Sequence, residues 1–116
     1  MEMKILVEKI KMGDVHLLAG LWYGTMIKGT VDVAQNKVAL GGDYHIESCE
    51  LLVKNGSKNE NVWGFNIRFE EGENGVLEFD SMVNIKPAQG NKSRGILDEN
   101  ITKKAEDIIK SWIEFV

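Results

Sequence analysis

The chain contains a single cysteine, Cys49, so no disulfide can form within it. This scarcity excludes a secreted disulfide framework and a zinc cluster built from several thiolates. For Cys49 itself we expect burial, because the sequence shows no base that would activate the thiol. A lone thiol fits a reducing compartment, and we expect a cytoplasmic protein.

Long apolar runs are absent as well. No uncharged apolar stretch approaches the roughly 20 residues that a membrane helix needs. The N-terminal segment has charged residues on both sides of a short apolar run, unlike a signal peptide, and no prenylation box ends the chain. We therefore expect neither export nor membrane attachment.

The remaining composition is typical of a globular domain. The 116 residues are 43% hydrophobic and 28% charged, and they contain no internal repeat, linker or low-complexity tract. We expect one domain that spans residues 1–116. The net charge of −4 argues against non-specific nucleic-acid binding, because an acidic surface repels phosphate.

The N-terminal half predicts a series of short elements. Residues 4–10 have the pattern of a strand, and Asp14 is placed to cap a short helix. Residues 27–33 and 37–40 predict a hairpin, because both are partly β-branched and Asn36 tolerates the left-handed conformation of a tight turn.

Residues 43–54 fit two patterns, since their apolar positions match both helical spacing and strand alternation. The Asn55-Gly56 pair is a strong tight-turn signal, and another strand follows soon after it. We therefore predict a strand at residues 48–54, with a helix as the alternative.

The C-terminal half gives clearer signals. Residues 62–69 and 76–86 alternate as strands on either side of a polar turn, so they should pair antiparallel. Asp98 caps an amphipathic helix with a long apolar stripe. The expected fold class is α+β: a mostly antiparallel sheet of about five or six strands, with the short N-terminal and the longer C-terminal helix packed on one face.

A basic loop at residues 84–95 is the segment least like a plain connection. It contains Lys86, Lys92 and Arg94 and no acidic residue, which leaves 11 basic and 18 acidic residues, a charge of −7, in the rest of the chain. Its glycines and polar side chains could direct donors toward a phosphate or carboxylate. The loop matches neither a P-loop nor the dinucleotide-binding glycine pattern, and a plain solvated loop is the alternative.

Two further clusters could carry chemistry. The Gly41-Gly42 pair could direct Asp43 and His45 into a cleft for proton transfer, although such glycines also mark bulges. Regular alternation would place Asn66 and Asn84 on one polar sheet face, which is either a binding groove or the wetted face of a one-sided sheet.

Several short motifs together resemble a known family. They are Gly41-Gly42-x-x-His45, Gly56-Ser57-Lys58, Trp63-Gly64-x-Asn66 and the run from Asp80 to Arg94, which contains Asn84-Ile85-Lys86-Pro87-x-Gln89-Gly90-Asn91. Over about residues 31–95 the chain resembles small prokaryotic proteins catalogued only as a domain of unknown function. The resemblance implies site residues but no activity. Lys86 and Lys92 stand where we would expect arginine, which keeps the charge but loses bidentate geometry.

From these signals we expect a small cytosolic module that binds an anionic ligand through the basic loop. The candidate ligand-binding residues are His45, Asn66, Asn84, Lys86, Gln89, Asn91, Lys92, Ser93 and Arg94. An interaction or homo-oligomerisation domain, with a homodimer as the implied partner, ranks second. A hydrolase that uses Asp43 and His45 ranks third. Neither a cofactor nor a metal site is indicated by the residue spacing.

Overall fold

The computed structural model describes residues 3–69 and 75–115. Its helices are α1 (Met12–Ala19), α2 (His45–Lys54) and α3 (Glu99–Trp112). Its strands are β1 (Lys4–Ile5), β2 (Ile10–Lys11), β3 (Met26–Asp32), β4 (Lys37–Leu40), β5 (Val62–Arg68), β6 (Val76–Glu78) and β7 (Ile113–Glu114). The predicted α+β class is confirmed. No helix among these residues has the length and apolar character needed to cross a membrane.

Five strands form one antiparallel sheet in the order β1-β4-β3-β5-β6. The predicted hairpin is confirmed as β3 and β4, and Asn36 between them has a φ of 57°. The predicted antiparallel partners are confirmed as β5 and β6. Strands β2 and β7 form a separate parallel pair, which joins the N-terminal segment to the end of α3.

The first face of the sheet carries the main core. Ile27 and Val31 of β3 and Phe65 of β5 are fully buried on this face. Helices α1 and α3 cover it, with Val15 and Ile109 in the same cluster. The predicted packing of both helices on one face is therefore confirmed.

Helix α3 begins as the sequence predicts. Asp98 Oδ1 accepts a hydrogen bond from the backbone N–H of Asn100 at 2.8 Å, which caps the first turn. Ala105, Ile108 and Ile109 are buried along the predicted stripe. The burial of this stripe, more than local propensity, fixes the position of the helix.

The second face of the sheet carries α2, and the predicted strand at residues 48–54 is wrong. Cys49 and Leu52 pack against Val62 of the sheet, so the helical spacing decides the conformation. The Asn55-Gly56 pair ends this helix instead of turning a hairpin. Gly56 has a φ of 103°, and its N–H donates to the Val53 carbonyl at 3.1 Å.

Three other predicted boundaries also differ. The strand expected at residues 4–10 is divided into β1 and β2, and α1 begins at Met12 with Asp14 inside its first turn. The strand expected at residues 76–86 ends at Glu78. Two 3₁₀ turns follow it, at Met82–Asn84 and Pro87–Gln89.

The first of these 3₁₀ turns has a local cause. Ser81 Oγ accepts a hydrogen bond from the backbone N–H of Val83 at 3.2 Å, a capping contact that competes with strand pairing. Asn84 therefore does not share a strand face with Asn66, as regular alternation had suggested. The turn predicted at residues 70–75 lies mostly outside the described residues.

Candidate functional site

Helix α2 leaves part of the second face open. Between α2, strands β3 and β5 and the segment 80–83 lies a cleft with a volume of ≈ 410 Å³. The cleft is lined by the apolar side chains Met26, Ile46, Met82 and Val83 and by Tyr23, Lys28, Tyr44, His45, Asn66, Arg68, Asp80, Ser81 and Arg94. It is therefore partly apolar, with most of its charge in basic groups.

The pairing of β3 with β5 builds the floor of the cleft. Lys28 lies directly opposite Asn66, so both side chains project from the second face. A Cβ on Gly64 would lie 2.5 Å from Ser81 Oγ. The absence of a side chain at Gly64 thus lets the segment 80–83 cross close over the sheet and form one wall.

His45, the first residue of α2, is anchored to β5. Its Nε2 lies 2.9 Å from the Phe65 carbonyl oxygen and 2.8 Å from Asn66 Oδ1. The Asn66 amide is itself oriented, because its Nδ2 donates to Glu78 Oε1 at 3.0 Å and to the Asp80 carbonyl at 3.2 Å. Both neighbours of Nε2 are acceptors, so the hydrogen-bond network assigns a ring proton to Nε2.

The surroundings of His45 favour its neutral form. Burial lowers the pKa of His45 below its ordinary value of 6.5, and the positive charge of Lys28 acts in the same direction. The hydrogen bonds to Phe65 and Asn66 and the charge of Asp80 oppose the shift without reversing it. In the neutral Nε2–H tautomer, Nδ1 carries a lone pair.

Lys28 differs from the other two cations of the cleft. Its Nζ lies 5.3 Å from the centre of the Tyr23 ring and 5.8 Å from that of Tyr44. Arg94 Nε lies 2.8 Å from Asp80 Oδ1, and Arg68 Nε lies 2.7 Å from Glu78 Oε1. In residues 3–69 and 75–115, no carboxylate lies within 4.0 Å of Lys28 Nζ.

Three of the nine sequence-predicted site residues line this cleft: His45, Asn66 and Arg94. Asn84 is buried, and its side chain is bonded to the backbone of Gly64 and Arg94 through contacts of 2.7–3.0 Å. Asn91 is buried too, and its side chain is bonded to three backbone carbonyls of the basic loop and to the Leu97 N–H just after it. These two amides shape the loop and have little capacity left for a ligand.

The other four predicted residues lie away from the cleft. Lys86 is buried, with Nζ donating to the Asn59 carbonyl at 2.9 Å, and burial lowers the pKa of Lys86. Gln89 Nε2 donates to the Glu60 carbonyl, and Ser93 Oγ accepts from the Gly95 N–H. Lys92 is exposed. Of the basic loop, only Arg94 contributes a cation to the cleft.

The pairing of Asp43 with His45 is not seen at this cleft. Asp43 is exposed and absent from the lining, and its carbonyl accepts a hydrogen bond from the Tyr23 hydroxyl. Cys49 is buried as expected, and this burial raises the pKa of its thiol. Across residues 3–69 and 75–115, no cluster of three or more His, Cys, Asp or Glu side chains could hold a metal ion.

The terminal aromatic residues have internal partners. Trp112 Nε1 donates to the Asn36 carbonyl at 2.8 Å, and Phe115 packs against the main core. An interaction surface at the terminus would need Trp112, Phe115 and Val116 exposed together, and Val116 lies outside the described residues. The oligomerisation alternative thus gains no support from Trp112 or Phe115.

Lys28 and the two tyrosines were not among the predicted site residues. Lys28 belongs to β3, whose partner β5 is far along the sequence, and only this pairing brings Lys28 opposite Asn66. A lysine amid the apolar and β-branched residues of the predicted hairpin was the available signal. The sequence thus shows that the position of Lys28 is unusual, but it does not show which residues lie beside Lys28 in the fold.

Comparison with family models matches residues 4–112 to the family described as "Protein of unknown function (DUF5674)". The match extends beyond residues 31–95, on which the resemblance in sequence rests, and confirms it. No curated protein and no solved structure matches the chain.

Proposed function

The chain belongs to this family of unknown function, and from its cleft we propose that it binds a small molecule bearing a carboxylate or phosphate, with the anion against Lys28. The observation that carries the proposal is the ammonium group of Lys28, a partly buried residue, which lies near two tyrosine rings and has no carboxylate within 4.0 Å among residues 3–69 and 75–115. A partly desolvated charge without an ionic partner is costly, and a bound anion would supply that partner.

Two neighbouring groups support the same ligand chemistry. Arg94 is paired with Asp80, but both side chains are about half exposed, so this ion pair is weak and Arg94 can turn toward a ligand. Tyr44, His45 and Ile46 bring the N-terminal end of α2 to the cleft. The helix dipole there favours negative charge. The free thiol of Cys49 supports the expected cytoplasmic location.

The test is anion binding by wild-type protein and two lysine variants. Calorimetry or NMR titration with phosphate, acetate, glycerol 3-phosphate and nucleoside monophosphates would identify a ligand that binds. Lys28→Ala should then weaken binding by about tenfold or more, because a hydrogen bond to a charged group contributes about 1.5–3 kcal/mol.

Lys92→Ala is the matched control, since it removes the same charge from an exposed position on the basic loop. Its affinity should stay within about twofold of wild type, as expected of a distant exposed charge screened by salt. If Lys92→Ala weakened binding and Lys28→Ala did not, the ligand would belong to the basic loop instead of the cleft. If no anion bound wild-type protein, the proposal would be abandoned.

A further inference from the structure

The cleft offers a ligand many hydrogen-bond donors and few acceptors. Lys28 and Arg94 present only N–H groups. Two of the side-chain acceptors nearby are already engaged, because Asn66 Oδ1 is bonded to His45 and Asp80 Oδ1 to Arg94. Against this background, the second ring nitrogen of His45 stands out.

The Nδ1 atom of His45 has no hydrogen-bond partner in the part of the chain that the structure describes. His45 as a residue is only 8% exposed. Even so, no fully buried polar side-chain atom of the described residues lacks a partner, so Nδ1 must be reachable by solvent. Because Nε2 is held by two acceptors, Nδ1 is a fixed lone pair on a residue that lines the cleft.

We infer that the anionic ligand also carries a hydroxyl group, which donates its hydrogen to His45 Nδ1 while the anion contacts Lys28. The inference rests on the proposed function and narrows its ligand class from anions in general to hydroxylated anions. The lone pair repels a second anionic oxygen, so only a donor fits this position. An analogue without the hydroxyl leaves the lone pair unsatisfied, which is how a polar site discriminates against it.

The charges around His45 agree with this assignment. Lys28 on β3 and the burial of the ring both hold the pKa of His45 down, whereas Asp80, after β6, raises it. The two tyrosines, Arg68 and Arg94 also line the cleft, and Glu78 is paired with Arg68. At neutral pH the ring is therefore an acceptor at Nδ1, which gives the hydroxyl a partner of the correct polarity.

The first test needs no ligand. In a ¹⁵N-edited NMR spectrum of the histidine rings at pH 7.5, His45 should show a protonated Nε2 and an unprotonated Nδ1. A His16→Gln variant identifies which ring signal belongs to His45, because these are the two histidines of the chain. A proton found on Nδ1 would overturn the inference whatever the protein binds.

The second test compares ligands that differ by one hydroxyl group. The probes are glycolate with acetate, 3-hydroxybutyrate with butyrate, and glycerol 3-phosphate with propyl phosphate, which span different distances between anion and hydroxyl. In at least one pair, the hydroxylated member should bind about three- to tenfold more tightly, the usual contribution of one net hydrogen bond. The methyl ether of that member should lose the advantage, because it accepts hydrogen bonds but cannot donate one.

His45→Phe should abolish the difference within the pair and leave the binding of the simple anion in place. Circular dichroism checks its fold, and if this variant does not fold, the methyl ether comparison in wild-type protein decides. Anion binding without any hydroxyl preference would overturn this inference and leave the proposed function standing. Failure of every anion to bind would overturn both.

Discussion

The two faces of the sheet are built from the same strands but by different physics. On the first face, Ile27, Val31 and Phe65 are fully buried in apolar contacts under α1 and α3. On the second face, Lys28 and Asn66 lie under an open cleft. Apolar packing tolerates no opening of this kind, because its stabilisation depends on excluding water and leaving no void.

Away from the cleft, hydrogen bonds between side chains, and from side chains to the backbone, hold much of the second face in place. Thr30 Oγ1 donates to Ser48 Oγ at 3.0 Å, and Asp32 accepts hydrogen bonds from Ser57 Oγ and from the backbone N–H of Ala34. Directional bonds can fix these side chains without filling all of the space around them. A binding site can therefore form on the second face while the first face supplies the stability.

The largest effect should come from truncating the first face with Phe65→Ala. The Phe65 ring lies where a Cβ on Gly29 would be, so its removal leaves a space that no side chain of Gly29 can fill. Urea denaturation should show the free energy of unfolding lowered by about 3–5 kcal/mol. Tyr44→Ala, which removes the aromatic ring of a residue that is 68% exposed at the cleft, should cost about 1 kcal/mol or less. Equal losses would mean that the rim of the cleft is as tightly built as the core.

A smaller loss should follow Asn84→Ala, beside the second face. This change leaves the buried Gly64 N–H and carbonyl without their side-chain partner, together with the Arg94 carbonyl. The Arg94 carbonyl keeps the Ser81 N–H as a donor. Leaving a buried group unsatisfied costs about 1–3 kcal/mol, and urea denaturation should show a loss of about this size. Gln89→Ala, an exposed amide in the same loop, should change stability by less than about 0.5 kcal/mol. An unchanged stability with lost anion binding would instead support the ligand-binding role that the sequence predicts for Asn84.

The first face was largely predictable, because apolar burial imposes a period on the sequence. The alternation of residues 62–69 and the stripe of α3 record which side chains face the core. The second face leaves no comparable periodic pattern in the sequence. Residues 48–54 fit both periods, and their helix depends on packing against Val62. Asn84 lies in a segment that the sequence predicts as a strand and that forms a 3₁₀ turn in the structure. Its side chain is held by hydrogen bonds to backbone groups, and such bonds leave no periodic pattern in the sequence.

The cleft was harder to predict for the same reason. The sequence predicts His45, Asn66 and Arg94 as site residues because polar residues in glycine-rich and basic motifs are typical of binding sites. Their assembly into one cleft depends on the β3–β5 register and on the close approach of Ser81 to Gly64. The register also supplies Lys28, which no local motif identifies.

The pH dependence of stability should show a smaller effect from His45. Its pKa in the folded state lies below the ordinary value of 6.5, so the unfolded chain binds the proton more readily. The contribution of the neutral ring is therefore fully present above pH 6.5 and is lost as pH falls toward the folded pKa. Chemical denaturation between pH 5 and 8 should show this slope reduced in His45→Phe. His16→Gln is the control, and an identical reduction in both variants would contradict the assignment to His45.

The smallest stability effect should come from Arg94→Ala, which removes a cation from the cleft without opening the core. Its ion pair with Asp80 is about half exposed, so unfolding free energy should change by less than about 1 kcal/mol. Anion affinity should nevertheless fall severalfold, because the positive charge at the cleft is reduced. Lys104→Ala on the exposed side of α3 should change neither quantity. If Arg94→Ala destabilised the protein as much as Asn84→Ala, the ion pair with Asp80 would be needed for the fold. The second face would then contribute to stability at this residue, and it could not be described as a binding face alone.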